Sequence, residues 1–194
     1  MTKPAFIVEG HLEQAFVQAI CEGSPVRRIG CNGTDVKIEA VAKHVATHAR
    51  LLQRKYDPLI VVFDREGRLQ TCIEIEVALK AELIKQSVTA RIIVGIPDRD
   101  IESWILADYE MFANTVGINP SINVGPFDGV KCKGKIKALS SGKCCYNEVL
   151  HGVDWLKAAR PYKMQVSSSS FARFRGHLQG LGCRWLQQEA PLIE

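Results

Sequence analysis

Leu59-Ile-Val-Val-Phe63, followed by Asp64-Arg-Glu-Gly67, is the stretch that decides the fold of this 194-residue chain. Five apolar residues without a polar interruption are typical of a strand covered on both faces. Ala5–Glu9 and Arg91–Ile96 have the same form, and Val26–Ile29 is a shorter candidate. Because helical patterns separate these runs, we expect an α/β fold: a Rossmann-like, doubly wound parallel sheet flanked by helices.

Apolar spacing predicts the helices between these strands. In one of them Ile73, Val77 and Ile84 recur at helical spacing, so we expect them to face inward. The predicted helices of the first half are Leu12–Cys21, a long helix with its cap at Thr34 that ends before Pro58, Cys72–Leu83, and a helix that begins over Glu102–Phe112.

Residues 113–194 differ in composition from the first half. Residues 114–142 are rich in Gly, Pro, Asn and Ser, and their alternating lysines indicate a loop with a short lysine-rich strand or turn. Tyr146–Ala159 and Ser170–Leu181 are expected to be helical, with serines 167–170 capping the last helix. We therefore predict a core over residues 1–112 and a basic, mostly helical extension over residues 113–194 that packs on it. The apolar side chains of the last helices fit either the core or an interface.

The charge is divided unevenly along the chain. The net charge is +4, but residues 1–110 hold 14 basic and 16 acidic residues, whereas residues 111–194 hold 11 and 5. An acidic half followed by a basic half suits a cation site beside an anionic substrate, although solvated surfaces can show the same division by chance.

Acidic residues follow three of the predicted strands. The carboxyl ends of parallel strands converge, so these acids are expected to meet at one edge of the sheet. Carboxylates at such junctions also cap helices, which is the alternative for any single one. Together they suit Mg²⁺ or Mn²⁺, and two such ions could activate a water and stabilise the leaving oxygen of a phosphodiester. The acids are Glu9, Glu13, Asp64, Glu66, Asp98, Asp100 and Glu102.

The same segments resemble the Toprim family. Phe6-Ile-Val-Glu9-Gly10-His-Leu-Glu13 is similar to the first Toprim motif, in the form used by OLD-family nucleases. Val61-Val-Phe-Asp64-Arg-Glu66-Gly67 is similar to the second motif, which is normally Asp-x-Asp. Asp98–Asp108 resembles a segment of small stand-alone Toprim-like proteins of bacterial defence systems. The resemblance spans about residues 5–110 and implies a Toprim-like core.

Toprim domains are metal-dependent and act on nucleic-acid phosphodiesters, so the resemblance implies a role for each acid. Glu9 would be a metal ligand or general acid/base, Glu13 a ligand of a second metal, and Asp64 the central ligand. Glu66 replaces the usual Asp, and Glu102 is the candidate for a further ligand. The implied cofactor is Mg²⁺ or Mn²⁺, with two ions in the site.

The basic extension supplies the remaining candidates. In OLD-like enzymes a lysine near the metals stabilises the developing charge, and Lys163 is the candidate here for that catalytic role. The nucleic-acid contacts are expected from Lys131, Lys133, Lys135 and Lys137. The sequence contains no phosphate-loop motif, so ATP, if it is used, would be bound by a partner chain.

The sequence favours a cytoplasmic protein without a membrane segment. Its longest strongly apolar run, Leu59–Phe63, is too short to span a bilayer, and Glu9 and Glu13 interrupt any signal-peptide core. Seven cysteines without a repeating spacing are typical of a reduced compartment.

We therefore expect a metal-dependent nuclease that acts in anti-phage defence beside an ATPase partner that gates it. Three alternatives remain: a tRNA- or rRNA-directed ribonuclease, a catalytically silent Toprim-like module that binds nucleic acid or a partner, and a small-molecule phosphohydrolase. Glu66 in place of Asp favours the silent module, whereas Glu9, Glu13 and Asp64 argue against it. The lysine-rich extension favours a polymeric substrate. A homo-oligomer is left open.

Overall fold

The computed structural model describes residues 3–31, 36–121, 125–181 and 183–189 of the chain. Its centre is a four-stranded parallel sheet in the order β2-β1-β3-β4. The strands are β1 (Ala5–Val8), β2 (Val26–Arg28), β3 (Leu59–Val62) and β4 (Ile92–Gly95). This sheet confirms the expected parallel α/β fold. Because the ends of β1, β3 and β4 are paired with one another, the loops that follow them begin at one edge.

Both faces of the sheet are covered, which explains the lack of polar alternation in the strands. On one face Ile7 and Val61 pack against α2 (Ile38–Leu52) and α3 (Cys72–Lys85). On the other face Phe6 and Val62 pack against α1 (His11–Ile20), α4 (Glu102–Ala107) and helices of the extension. Thr34, the expected cap of the long helix, lies outside the described residues, and α2 begins at Ile38.

The predicted inward face of α3 is wrong. Ile73, Val77 and Ile84 are 52%, 63% and 73% exposed. Ile75, Leu79 and Leu83, which are also spaced helically, pack in the core instead. The helix is apolar on two faces, so periodicity alone does not determine which of them is buried.

The extension is helical, and two segments, one at the end of the core and one in the extension, depart from the predictions. The helix that begins at Glu102 is broken at Asp108, whose backbone leaves the helical region and whose side chain then caps the next helix. The lysine-rich segment is a helix, because Cys132 and Ile136, one turn apart, are both buried. The further helices are α5 (Tyr109–Val116), α6 (Cys132–Leu139), a π-helical turn (Glu148–Gly152), α7 (Val153–Ala158), α8 (Pro161–Ser167), α9 (Ser169–His177) and a 3₁₀ turn (Arg184–Gln187).

The extension shares one hydrophobic core with the sheet. Trp104 of α4 packs against Phe171 and Phe174 of α9, with ring centroids 5.3 and 5.2 Å apart. A Cβ atom at Gly95 would lie 2.6 Å from the Phe174 ring, so β4 needs a glycine where α9 crosses it. The last helices therefore supply core residues. Ser168 accepts a hydrogen bond from the backbone of Phe171, which confirms the predicted cap in the serine run.

None of the helices in the described ranges combines the length and the apolar character needed to cross a membrane.

Candidate functional site

A cleft of about 620 Å³ lies at the carboxyl ends of β1, β3 and β4. One side of it, here called the acidic floor, consists of all five acids predicted as metal ligands. Another part of its lining, here called the basic wall, is formed by lysines at the start of α6 and along it. The acidic floor is Glu9, Glu13, Asp64, Glu66 and Glu102, and the basic wall is Lys131, Lys133 and Lys137.

Glu9 and Glu13 are placed by the turn between β1 and α1. Glu9 follows β1 directly, and its carboxylate accepts a hydrogen bond from the backbone N–H of Asp64, at 3.0 Å. The side chain of Glu13 reaches back to the Gly10 N–H at 3.1 Å, as in a capping box. A Cβ atom at Gly10 would stand 2.7 Å from the Glu13 carboxylate, so the Glu-Gly pair has a steric reason.

Asp64 lies at the centre of the acidic floor. It follows the buried Phe63 at the end of β3, and its buried Oδ1 atom has no hydrogen-bond partner among the residues that the structure describes. A buried acceptor without a partner is rare in folded proteins because its desolvation is not compensated. This atom is the feature of the cleft that internal hydrogen bonds do not explain.

Arginine side chains brace the loop that carries Asp64 and Glu66. Glu66 has a positive φ of 59°, and its carbonyl accepts a hydrogen bond from Arg99 at 2.8 Å. The buried Arg68 donates to the carbonyls of Asp64 and of Val36, which precedes α2. The loop is therefore held at the backbone carbonyls of Asp64 and Glu66, which leaves these two arginine contacts off the carboxylates themselves.

Glu102 connects the floor to the extension. It is the first residue of α4, is only 3% exposed, and accepts a hydrogen bond from the Tyr146 hydroxyl at 3.1 Å. The Tyr146 ring stacks on Trp155 at 5.3 Å. The extension thus supplies part of the wall of the cleft rather than covering a distant surface.

Burial and mutual repulsion raise the pKa values of the floor. Burial, followed by repulsion from Glu13 and Glu66, raises the pKa of Glu9 to about 7. Burial, followed by Asp100, raises the pKa of Glu102 to about 7. The pKa of Asp64 is raised well above its usual value by burial, then by Glu13 and Glu9. Such a group of acids requires protons or a cation to balance its charge near neutral pH.

Two of the seven acids at the strand ends have other roles. Asp98 forms an ion pair with Arg65 and does not line the cleft. Asp100 accepts hydrogen bonds from the backbone N–H groups of Cys132 and Lys133, both at 3.1 Å. It therefore caps α6 from a distance of 32 residues in sequence, and it holds the basic wall against the floor.

The helix separates the four predicted nucleic-acid-binding lysines. Lys133 and Lys137, one turn apart, line the cleft with Lys131. Lys133 forms an ion pair with Glu148. Lys135 is on another side of α6, where its ammonium group lies 5.0 Å from the centre of the Phe127 ring. Three of the four lysines therefore face the site.

The structure does not bring Lys163, the candidate catalytic lysine, to the cleft of the acidic floor. Lys163 lines a separate cavity of about 510 Å³ together with Asp108 and Glu110. Its ammonium group is 3.9 Å from the Glu110 carboxylate. Lys163 lies in this cavity because of where α8 begins. The helix starts at Pro161, and the neighbouring Arg160 is fixed to Asp108 by two hydrogen bonds from its side chain.

Sequence reasoning missed several residues of the site. Arg99, Tyr146 and Glu148 line or support the cleft, but they lie far from their partners in sequence. After β4 an arginine stands between two acids, in Asp98-Arg99-Asp100, and this alternation could have drawn attention to Arg99. No local pattern indicates Tyr146, whose partner Glu102 precedes it by 44 residues.

The acidic floor fits a hard divalent cation in its chemistry but not yet in its arrangement. All five side chains are carboxylates, and the unpartnered Asp64 Oδ1 atom is an available ligand. In the part of the chain that is described, no three His, Cys, Asp or Glu side chains are grouped closely enough to hold a metal ion. Glu9, Glu13 and Glu102 are each held by another hydrogen bond, so some must rotate toward Asp64 to complete a coordination shell.

Comparison with known proteins gives one match. The profile of a family described as a domain of unknown function, DUF4276, matches residues 8–179. This range includes the acidic floor, the basic wall and all of the sheet except the first residues of β1. Neither a curated protein nor a solved structure matches the chain. Since the match covers most of the sequence, the chain belongs to the DUF4276 family.

Proposed function

We propose that this protein is a Mg²⁺- or Mn²⁺-dependent hydrolase of nucleic-acid phosphodiesters whose active site is the cleft between the acidic floor and the basic wall. The observation that carries the proposal is the buried Oδ1 atom of Asp64, which lacks a hydrogen-bond partner within the described ranges and is surrounded by further carboxylates. The resemblance of the strand-end motifs to Toprim nucleases supports the same assignment.

The acids of the floor would hold the cations. Asp64 is the central ligand, Glu9 and Glu13 approach it from the β1 side, and Glu66 and Glu102 complete the set. A bound divalent cation would neutralise these carboxylates and polarise a phosphoryl oxygen. Arg68 and Arg99 keep the loop of Asp64 and Glu66 in place, so the ligands are positioned before the substrate arrives.

The basic wall favours a polymer over a small phosphoester. Lys131 and Lys137 are exposed and face the cleft. Lys137 also lines a neighbouring cavity of about 580 Å³, which contains Lys143 and no acidic side chain. If one phosphate of a nucleic acid binds in the cleft, these lysines would lie near the phosphates next to it. A small phosphoester has no such neighbouring phosphates to bind.

A catalytically silent binding module is the second candidate. It is favoured by the lack of a three-acid group in the described ranges and by Glu66 in the place of the usual Asp. Such a module would keep the basic wall and bind nucleic acid or a partner without hydrolysing it. The resemblance to Toprim proteins of defence systems supports a role in anti-phage defence beside an ATPase partner for either candidate.

A hydrolysis assay on the purified chain tests the proposal. The substrates are plasmid DNA, single-stranded DNA and bulk tRNA, with Mn²⁺ or Mg²⁺ and with a chelator as control. We expect cleavage that is lost with the chelator and in Asp64→Asn, and kept in Asp154→Asn, whose side chain is exposed on α7 away from the cleft. Cleavage of tRNA alone would identify a ribonuclease.

The result that contradicts the enzyme is equally defined. If the chain binds nucleic acid through the basic wall but neither hydrolyses it nor binds Mn²⁺, the silent module replaces the hydrolase. If the chain binds Mn²⁺ through Asp64 without hydrolysis, an activating partner becomes the next component to add to the assay.

A further inference from the structure

The outer face of α3 carries a row of exposed apolar side chains, here called the α3 stripe. Ile73, Val77 and Ile84 are 52%, 63% and 73% exposed, and Ala81 is exposed between them. Leu69, in the bend that precedes α3, is 99% exposed. Single apolar residues on a surface are ordinary, but a continuous row along one helix indicates an interaction site.

The fold itself does not need the α3 stripe. The helix is anchored to the sheet by its opposite face, where Ile75, Leu79 and Leu83 are buried. Isoleucine and valine lower helix propensity because the preceding turn restricts their rotamers, so exposed positions gain nothing from them in a monomer. A contact with another molecule would explain why these positions are apolar.

We propose that the α3 stripe is the interface of a homodimer, in which α3 packs antiparallel against α3 of a second copy about a two-fold axis. The sequence of the stripe is nearly symmetric about residue 79, so this pairing sets Ile73 opposite Ile84 of the partner subunit. In the same way, Val77 meets Ala81 of the partner subunit. An isologous contact of this kind closes on itself and leaves no unpaired patch.

Charge complementarity favours the second copy as the occupant. Glu74 in the first turn and Lys85 in the last turn are exposed and flank the same side of the stripe. Lys85 also forms an ion pair with Glu82 of its own helix, so in the dimer its ammonium group would be shared between Glu82 and Glu74 of the partner subunit. The antiparallel pairing sets Glu74 beside Lys85 of the partner subunit, and it also opposes the two helix dipoles. A parallel pairing of the two helices would instead bring side chains of like charge together.

The other border of the stripe argues against a membrane surface. There Lys80 and Arg173 both form ion pairs with Glu76, at 2.7 and 2.9 Å, which leaves a single net positive charge beside the apolar row. Interfacial helices that bind lipid carry a polar face rich in Lys and Arg. A border with one net positive charge lacks that basic face, so a protein surface suits the stripe better than a lipid surface does.

The dimer should be weak and independent of the cleft. A helix of 14 residues is about 21 Å long, and a pair of such helices buries less than the roughly 800 Å² per partner of a standard interface. We therefore expect dissociation in the micromolar range. No residue of the stripe lines the cleft, so the inference stands apart from the proposed hydrolysis.

Analytical ultracentrifugation over roughly 1 to 300 µM protein tests the interface, because this range brackets micromolar dissociation. The wild type should form dimers, and Val77→Glu should weaken dimerisation by at least about tenfold, since it buries a charge at the centre of the contact. Val166→Glu is the matched control, because Val166 is 83% exposed on α8, outside the stripe. The dissociation constant of this variant should equal that of the wild type.

Charge reversal tests the antiparallel orientation. Glu74→Lys and Lys85→Glu each place like charges across the interface in their own homodimers. A mixture of the two variants restores both ion pairs, so the mixed dimer should be about tenfold tighter than either homodimer. Because Glu74 also bonds to the backbone of Thr71, circular dichroism must show that both variants remain folded.

Two results would overturn the inference. One is a wild type that remains monomeric at every concentration. The other is a dimer that Val77→Glu leaves intact, since the second copy would then use another face. Dimerisation lost in Val77→Glu but without tightening of the mixture would refute the antiparallel pairing.

Discussion

The acidic floor and the basic wall line the same cleft, but they are built in different ways. Each acid of the floor follows a strand or begins a helix after it, and the backbone pairing of β1, β3 and β4 brings them together. The wall belongs to α6, which contacts the sheet edge through the Asp100 cap and the buried Cys132 and Ile136.

The difference shows which parts of a site a sheet can dictate. The floor follows from the topology, because parallel strands converge at their carboxyl ends. The wall depends on tertiary contacts between segments about 30 residues apart. A change in the floor should therefore act on charge and chemistry at once, whereas a change in the wall should act on substrate affinity.

The largest expected effect is on the stability of the metal-free floor. The pKa values of Glu9 and Glu102 are raised from 4.5 to about 7, so the folded state binds more protons than the unfolded state between those values. The free energy of unfolding should therefore fall as the pH rises from about 4.5 to 7, by up to about 1.4 kcal/mol per pH unit for each group. Urea denaturation in the presence of a chelator measures it.

Glu9→Gln should flatten this slope, and Glu39→Gln, a change at an exposed glutamate of α2, should leave it unchanged. Stability that is constant or increases over the same range would contradict the burial of the floor.

The next effect concerns the wall. Lys131→Ala with Lys137→Ala should weaken binding of single-stranded nucleic acid by roughly tenfold at low salt, because each lysine neutralises about one phosphate. The slope of log K against log salt should fall by roughly 1.4 for the two contacts. Lys157→Ala, at an exposed lysine of α7 outside the cleft, is the control. Fluorescence anisotropy in a salt series measures both values, and equal effects of the two variants would remove the wall from the site.

The smallest effect tests the link between the two regions. Asp100→Ala removes the cap of α6. Thr71→Ala removes the cap of α3, where the Thr71 hydroxyl accepts a hydrogen bond from the Glu74 N–H at 3.2 Å. Each should lower the free energy of unfolding by about 1 kcal/mol. Only Asp100→Ala should weaken nucleic-acid binding, since only it releases the wall. Denaturation and anisotropy on both variants distinguish the positioning role from plain stability.

Sequence patterns sufficed for the sheet and the floor because both depend on short-range features. The run Leu59–Phe63 is apolar throughout, and Asp64 follows it, so burial and position are both visible in the sequence. The same reasoning failed for α3, where Ile73 and Ile75 belong to two apolar faces and only the packing of α2 and the sheet selects one.

The wall and the support of the floor were beyond local patterns. Lysines at every second position suggest an extended strand, but Cys132 and Ile136 are buried one helical turn apart. The basic charge of Lys163 gave no sign that α8 directs it toward Glu110. The cap from Asp100 to α6 joins residues 32 apart, which no spacing rule contains.

Calorimetric titration of the purified chain with Mn²⁺ tests the central claim most directly, because it does not require a substrate or an activating partner. We expect binding by the wild type and by Asp154→Asn, and its loss in Asp64→Asn, which takes away the charge of the central ligand. A wild type that gives no heat of binding with Mn²⁺, or an Asp64→Asn protein that binds it as well as the wild type, would contradict the account.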